Sequence, residues 1–115
     1  ITSKNANKID TKILLEGANS PTTVNAHKIL EDRGILVIPD VIANAGGVTA
    51  SYFEWVQDTQ NYLWKEKQIY ERLVDVLISA FEEVWILSEK NNCDLRTAAL
   101  MKGIKNVAVA KLTRC

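Results

Sequence analysis

Four consecutive apolar residues, Ile35-Leu36-Val37-Ile38, sit between Gly34 and Pro39. All four are apolar, and three of them, Ile35, Val37 and Ile38, are β-branched. A strand with no polar alternation implies burial on both faces, as in parallel sheets. Pro39 ends it, because proline cannot donate to a ladder. A second short apolar run, Lys12-Ile13-Leu14-Leu15-Glu16, is closed by Gly17 and reads as another buried strand. These two runs constrain the chain more than any other feature, since each needs cover above and below.

The segment between them reads as a helix. Pro21-Thr22-Thr23 opens it, with a Thr hydroxyl able to accept from a free amide of the first turn. Ala26, Ile29 and Leu30 fall at i, i+3, i+4 on one face. Arg33 stands near the end, where the helix dipole favours a cation, and Gly34 suits the C′ position. Strand, helix and parallel strand form a right-handed βαβ unit. After Pro39 the pattern turns helical. The Asn44-Ala45-Gly46-Gly47-Val48 string suggests a tight glycine turn, followed by a helix from about Val48 to Gln60. Its aromatics Tyr52, Phe53 and Trp55 cannot share one side, which predicts cover on several faces. Asn61 to Trp64 reads as a turn. A long helix follows from about Glu66 to Lys90, with Ile69, Leu73, Val76, Leu77, Ala80, Phe81 and Val84 as its stripe. Asn91-Asn92 breaks it. Asp94 is a good N-cap for a last helix through about Thr113, with Leu100, Ile104 and Val107 on its core face.

Two parallel strands do not make a stable sheet. With 115 residues and no further strand pattern after Pro39, the front half reads as the end of a larger doubly wound sheet. The absence of a starting Met agrees with a processed or excised piece. Equal numbers of basic and acidic side chains, 14 of each, argue against a nucleic-acid surface, which carries a basic surplus. No apolar run spans a bilayer. Two cysteines, Cys93 and Cys115, make no disulfide framework and fit a reducing compartment. A single histidine, His27, argues against a His-built metal site. His27 itself reads as an exposed residue beside Lys28, and Cys93 as an unactivated thiol in a helix-to-helix turn.

Ligands of open α/β sheets bind beyond the carboxyl ends of the strands. That directs attention to Glu16-Gly17-Ala18-Asn19 and to the stretch from Asp40 to Ser51. Asn19 offers a donor and an acceptor, and reads equally as a turn residue capping its own backbone. Asn44 precedes the Gly-Gly turn at an expected helix start, where free amides favour an anion. Val48 and Ser51 then share a face of the first turn. The bland reading of these residues is a plain turn and a first-turn serine, and residue spacing alone favours it. The Gly-x-Gly-x-x-Gly loop is absent from the chain, so a dinucleotide site is not complete within it.

Taken in order, Glu16-Gly17-Ala18-Asn19, Pro21-Thr22-Thr23, Gly34-Ile35-Leu36, Pro39-Asp40, Asn44-Ala45-Gly46-Gly47-Val48 and Ser51-Tyr52-Phe53-Glu54-Trp55-Val56-Gln57 resemble the C-terminal portion of hexameric glutamate dehydrogenases. Asp94-Leu95-Arg96-Thr97-Ala98-Ala99 resembles that family's last-helix opening. Ser20 stands where the family often has Gly, Val24 where it often has Pro, Lys105 where Arg is common, and Cys115 where Gly is usual. The resemblance implies the C-terminal part of a Rossmann-like dinucleotide-binding domain followed by three helices. It divides the chain into residues 1–64, closing that domain, and residues 65–115, packing back on a substrate domain. The implied activity is oxidative deamination of L-glutamate to 2-oxoglutarate and ammonia, with NAD or NADP as cofactor. Asn19 and Asn44 are implied at the nicotinamide and its ribose, and Val48 and Ser51 at the glutamate, with Ser51 on its side-chain carboxylate. The family's catalytic lysine, acid/base aspartate and glycine-rich loop would lie upstream, leaving no catalytic residue here. A homo-hexamer without nucleic acid or membrane is implied, in the cytosol or alternatively the mitochondrial matrix. A different class of reading is a free-standing binding module that kept the pocket and lost the chemistry. Ligand binding by a well-folded monomer would favour that module, and self-association without ligand affinity the dehydrogenase piece.

Overall fold

The computed structural model describes residues 1–114. A short 3-10 turn, Ala6–Lys8, precedes strand β1 (Ile13–Leu15), helix α1 (Val24–Asp32) and strand β2 (Leu36–Ile38). Four helices follow: α2 (Asp40–Ala43), α3 (Ala45–Gln60), α4 (Glu66–Asn91) and α5 (Leu95–Leu112). The strands pair in parallel, with Ile13 opposite Leu36 and Leu15 opposite Ile38. The expected β-α-β unit is therefore present, as a small parallel sheet followed by helices.

Local chemistry sets the boundaries of α1. Thr23 Oγ1 accepts from the Ala26 amide at 3.4 Å, and Gly34 takes the left-handed backbone, φ 72°, that ends the helix. Ala26 and Leu30 are wholly buried on the predicted face. Arg33 does more than neutralise the helix end. Its guanidinium donates to the Ala6 and Ile9 carbonyls, each at 2.6 Å, and so clamps the N-terminal segment beneath α1.

The sheet separates two apolar clusters. On one face Val37 packs with Ala6, Ala26, Leu30 and Ile35, and Leu14 lies against them. On the other, Ile38 packs with Val84 of α4 and with Leu95 and Ala98 of α5. β2 is thus covered on both sides, as its composition required. β1 is not. Ile13 is 53 % and Leu15 65 % exposed, because they point to the face of α4 and α5 but lie beyond their reach. The radius of gyration is 16.9 Å, against about 13 Å for a compact domain of this length.

Three other expectations need correcting. The helix after Pro39 begins at Asp40, and after a kink at Asn44 (φ −107°, ψ 5°) it resumes at Ala45, not Val48. Gly46 and Gly47 are helical, and no tight turn forms there. A Cβ at Gly46 would meet Leu77 Cδ1 at 3.7 Å, so this glycine lies where α3 approaches α4. Second, α3 is covered on one side only: Phe53 is buried, while Tyr52 and Trp55 are mostly exposed and stack with centroids 5.9 Å apart. Third, α5 uses Leu95 and Ala98 as its core residues, and Leu100, Ile104 and Val107 face outward. Its first turn packs on β2 and α4, and Lys102 further along bonds Glu83 of α4. The stripe on α4 holds except at Val76, which is 46 % exposed. Asn61 and Asn92 close α3 and α4 in left-handed geometry, φ 50° and 48°. Cys115 lies outside the described residues. No helix among the described residues is long and apolar enough to cross a membrane.

Candidate functional site

Both parallel strands deliver an acid at their carboxyl ends. Glu16 follows β1 directly, and Asp40 follows β2 after Pro39. Glu16 is only 2 % exposed and Asp40 only 7 %. Two buried carboxylates side by side would repel, and each would be costly to desolvate. Arg96, in the first turn of α5, resolves this. Its Nη1 donates to Asp40 Oδ1 at 3.0 Å and its Nη2 donates to Glu16 Oε2. The Asp40 amide adds a bond to Glu16 Oε2 at 3.1 Å. The Ser20 amide donates to Asp40 Oδ2 at 2.6 Å. The Ser20 amide foremost, with Arg96, holds the Asp40 carboxyl below its ordinary range despite its burial. Burial pulls the Arg96 guanidinium down, but Glu16 and Asp40 outweigh it and hold it above its usual range.

Ser20 has φ 47°, a left-handed backbone that a side chain adopts at a cost of about 1–2 kcal/mol. That accounts for glycine being favoured at such a position. The bond to Asp40 compensates, and it fixes the loop that carries Asn19. The Asn44 side-chain amide donates to Asn19 Oδ1 at 2.7 Å. The structure therefore brings the two sequence-selected asparagines into direct contact above the ends of the two strands. In either orientation of the two amides, one whole NH2 group and one carbonyl oxygen are left out of that bond and can serve another partner.

Val48 and Ser51 continue from Asn44 along α3, four and seven residues on, a spacing that keeps them on one helix face. Val48 is 72 % exposed and Ser51 is exposed, so the row from Asn19 to Ser51 is an open ledge rather than a closed cavity. Ser51 Oγ donates to the Gly47 carbonyl at 3.1 Å. Because α3 starts at Ala45, Ser51 stands in its second turn. Ser51 thus lies beyond the amides of the helix start, and only its hydroxyl is available to an anion.

His27 is also placed differently from expectation. Its side chain is 12 % exposed, and Nε2 lies 3.3 Å from Asp94 Oδ1 and 3.8 Å from Glu31 Oε1. The turn between α4 and α5 covers this face of α1, which the pattern of α1 alone does not show. These three atoms lie within 4.8 Å of one another, beside a cleft of about 220 Å³ that Cys93 and Trp85 help to line. Nδ1 of His27 is buried without a partner among the described residues. Binding a cation through Nε2 would put the ring proton on Nδ1, where no acceptor receives it, so the imidazole serves instead as a donor to Asp94. Asp94 in turn caps α5, accepting from the Thr97 amide at 3.0 Å and the Thr97 hydroxyl at 2.5 Å. Burial raises the Asp94 carboxyl, but the Thr97 bonds and His27 together bring it below its usual range.

Sequence reasoning missed Glu16, Asp40 and Arg96 as a set. The available signal was an acid immediately after each buried strand, which needs a cation from elsewhere. It also missed Gln57, buried on α3, whose Oε1 accepts from the Trp64 amide at 2.7 Å and holds the loop between α3 and α4. Arg72 stacks over Trp64 at 4.5 Å and completes that corner.

The family profile of Glutamate/Leucine/Phenylalanine/Valine dehydrogenase matches residues 1–115. The chain is 48 % identical over 114 residues to the catabolic NAD-specific glutamate dehydrogenase RocG of Bacillus subtilis, covering 99 % of this chain and 27 % of that protein. It is 50 % identical over 110 residues to an NAD-specific glutamate dehydrogenase of Staphylococcus aureus, covering 96 % of this chain and 27 % of that one. The crystal structure of glutamate dehydrogenase from Peptoniphilus asaccharolyticus superposes with a TM-score of 0.93 at 38 % identity, over 99 % of this chain and 29 % of that one. The hetero-hexameric enzyme of Thermus thermophilus gives 0.94 at 29 % identity, over 97 % and 27 %. The chain thus spans about a quarter of the length of the curated relatives it matches. Sequence, β-α-β order and superposition agree: this chain belongs to the glutamate, leucine, phenylalanine and valine dehydrogenase family.

Proposed function

We propose that the chain is the C-terminal portion of an NAD-dependent glutamate dehydrogenase, with NADP as the alternative cofactor. The parent enzyme would convert L-glutamate to 2-oxoglutarate and ammonia as a homo-hexamer in the cytosol. Residues 1–64 would close its dinucleotide-binding domain and residues 65–115 would pack back on its substrate domain. The NAD preference follows the description of the relatives as NAD-specific. The observation that carries the reading is the Asn19–Asn44 bond above the carboxyl ends of two parallel strands, the place where open α/β sheets bind ligands.

The donor and acceptor left by that bond fit a carboxamide and a ribose hydroxyl. When bound there, a nicotinamide dinucleotide supplies the hydride acceptor. Asn19 and Asn44 would orient it, and Val48 would give the glutamate methylenes an apolar wall. Ser51 would exchange its bond to the Gly47 carbonyl for a charge-assisted bond to the glutamate side-chain carboxylate. The segment offers binding and orientation, and the proton-transfer groups come from outside it.

In the full-length enzyme carrying this segment, Ser51→Ala lowers kcat/KM for glutamate about 10- to 100-fold, as expected for a hydrogen bond to a charged group. Unchanged kcat/KM would remove Ser51 from the site. The 115-residue chain alone is expected to reduce no NAD with glutamate, and turnover by it would overturn the assignment as a portion of an enzyme.

A further inference from the structure

The Asn19–Asn44 pair is not held by its own loops alone. Asn19 is bonded through the chain to Ser20, and the Ser20 amide is held by Asp40 Oδ2 at 2.6 Å. Asp40 also opens α2, which runs without interruption to Ala43 and the kink at Asn44. One carboxylate therefore sits at the root of both asparagines. Its other oxygen takes Arg96 Nη1 at 3.0 Å, while Nη2 of the same guanidinium reaches Glu16. Arg96 belongs to α5, 56 residues from Asp40 and 80 from Glu16. It is seated by the Asp94 cap before it and by Leu95 and Ala98, which are buried against Ile38 and Val84.

We propose that Arg96 is a positioning residue for the dinucleotide contact, acting through Asp40 to hold Asn19 and Asn44 in bonding register. This rests on the reading that the asparagine pair holds the nicotinamide end of the cofactor. The geometry favours arginine over lysine here. Two carboxylates on different strand ends are bridged by two nitrogens of one planar fork. A lysine ammonium is a single point and would have to choose between them or sit between both at longer range. Displacement of the pair by as little as 1 Å is enough to cost about 100-fold in rate. Arg96 touches neither asparagine, so its effect on the cofactor passes through Asp40 and Ser20.

The test is made in the full-length enzyme carrying this segment, with Arg96→Lys, Asn44→Ala and the double variant. Arg96→Lys is expected to raise the KM for NAD about tenfold or more and leave the KM for glutamate within about twofold. Added to Asn44→Ala it is expected to raise the KM for NAD by a smaller factor than it does alone, because the route through Asn44 is already gone and only the route through Ser20 to Asn19 remains. A lower Tm in Arg96→Lys with an unchanged KM for NAD would overturn the proposal, as would full additivity with Asn44→Ala. If Asn44→Ala itself leaves the KM for NAD unchanged, the cofactor reading falls and the proposal with it. If Asn44→Ala raises that KM and Arg96→Lys does not, only the proposal falls. Should Arg96→Lys not yield folded enzyme, Asp40→Asn keeps the shape, loses an acceptor and carries the same expectations.

Discussion

Arg96→Met removes one guanidinium and leaves two buried acids facing each other. Glu16 has a side chain 1 % exposed and Asp40 one 10 % exposed, whereas the Arg96 side chain is 26 % exposed. Breaking a buried ion pair by removing one partner costs about 3–5 kcal/mol, because the remaining charge is uncompensated. Partial exposure of the arginine places the expected loss near the lower end, about 3 kcal/mol. With a urea dependence of about 1–3 kcal/mol/M, the unfolding midpoint falls by about 1–3 M. A triple variant, Glu16→Gln, Asp40→Asn and Arg96→Met, removes the stranded charges as well. It is expected within about 1 kcal/mol of the parent, since replacing a whole buried charge cluster is often nearly neutral. The pH dependence has a definite sign. The folded Asp40 carboxyl titrates below its ordinary value of 3.8, so its contribution is present above that pH and is lost as pH falls through the lowered value. Arg96 is one of the groups that hold the Asp40 carboxyl low, so in Arg96→Met that carboxyl protonates more readily and the gap to the parent narrows on acidification. The assay is urea unfolding of the chain followed by circular dichroism at pH 7 and at about pH 4.5. A loss under about 1 kcal/mol at pH 7, or a triple variant as unstable as the single one, would show that the cluster behaves as a solvated surface pair.

Three further outcomes follow from the same structure. Leu30→Ala, at a position with 0 % exposure, is expected to cost about 2–5 kcal/mol and lower Tm by 10 °C or more, about 4–8 °C per kcal/mol for a small domain; a shift within 2 °C would show that the cluster around α1 collapses around the void. Asp94→Ala removes the cap of α5 and its bond to His27, costing about 1 kcal/mol; because the folded Asp94 carboxyl titrates below 3.8, that difference is present at pH 7 and disappears in strong acid, and a pH-independent difference would refute the capping account. Ile13→Thr with Leu15→Thr, on the bare face of β1, is expected to reduce concentration-dependent association in sedimentation velocity while leaving the circular dichroism spectrum unchanged; association equal to the parent's would mean that another surface drives it.

Local pattern and tertiary placement divided the molecule between them. Gly34, Thr23, Asp94 and Asn92 are boundary signals whose effect depends on backbone geometry within a few residues, and each acts where the sequence predicts. The apolar run of β2 is covered on both faces, and the α1 face of Ala26 and Leu30 is buried, because periodicity reports which side needs cover. Periodicity does not report whether cover arrives. Ile13 and Leu15 have the composition of a buried strand and remain bare, since α4 and α5 reach only β2. Leu100, Ile104 and Val107 make a legible stripe on α5 that stays exposed, while Ala99 and Lys102 beside it are the residues that face α4. Gly46-Gly47 reads as a turn because glycine permits one, yet the helix from Asp40 nearly runs through it, and Gly46 lies where α3 faces α4.

The same division holds at the site. The asparagines and the Val48–Ser51 face were selectable from the sequence, because strand ends and helix spacing are local properties. Family membership was legible as well, since it resides in short ordered strings. The bond between Asn19 and Asn44, and the Arg96 bridge that roots both, were decided by tertiary structure alone. Glu16, Asp40 and Arg96 are separated by up to 80 residues, and no periodicity connects them. Each is an ordinary charged residue in the chain. They become one unit only when the fold buries two strand ends together and the desolvated acids require the cation that α5 brings.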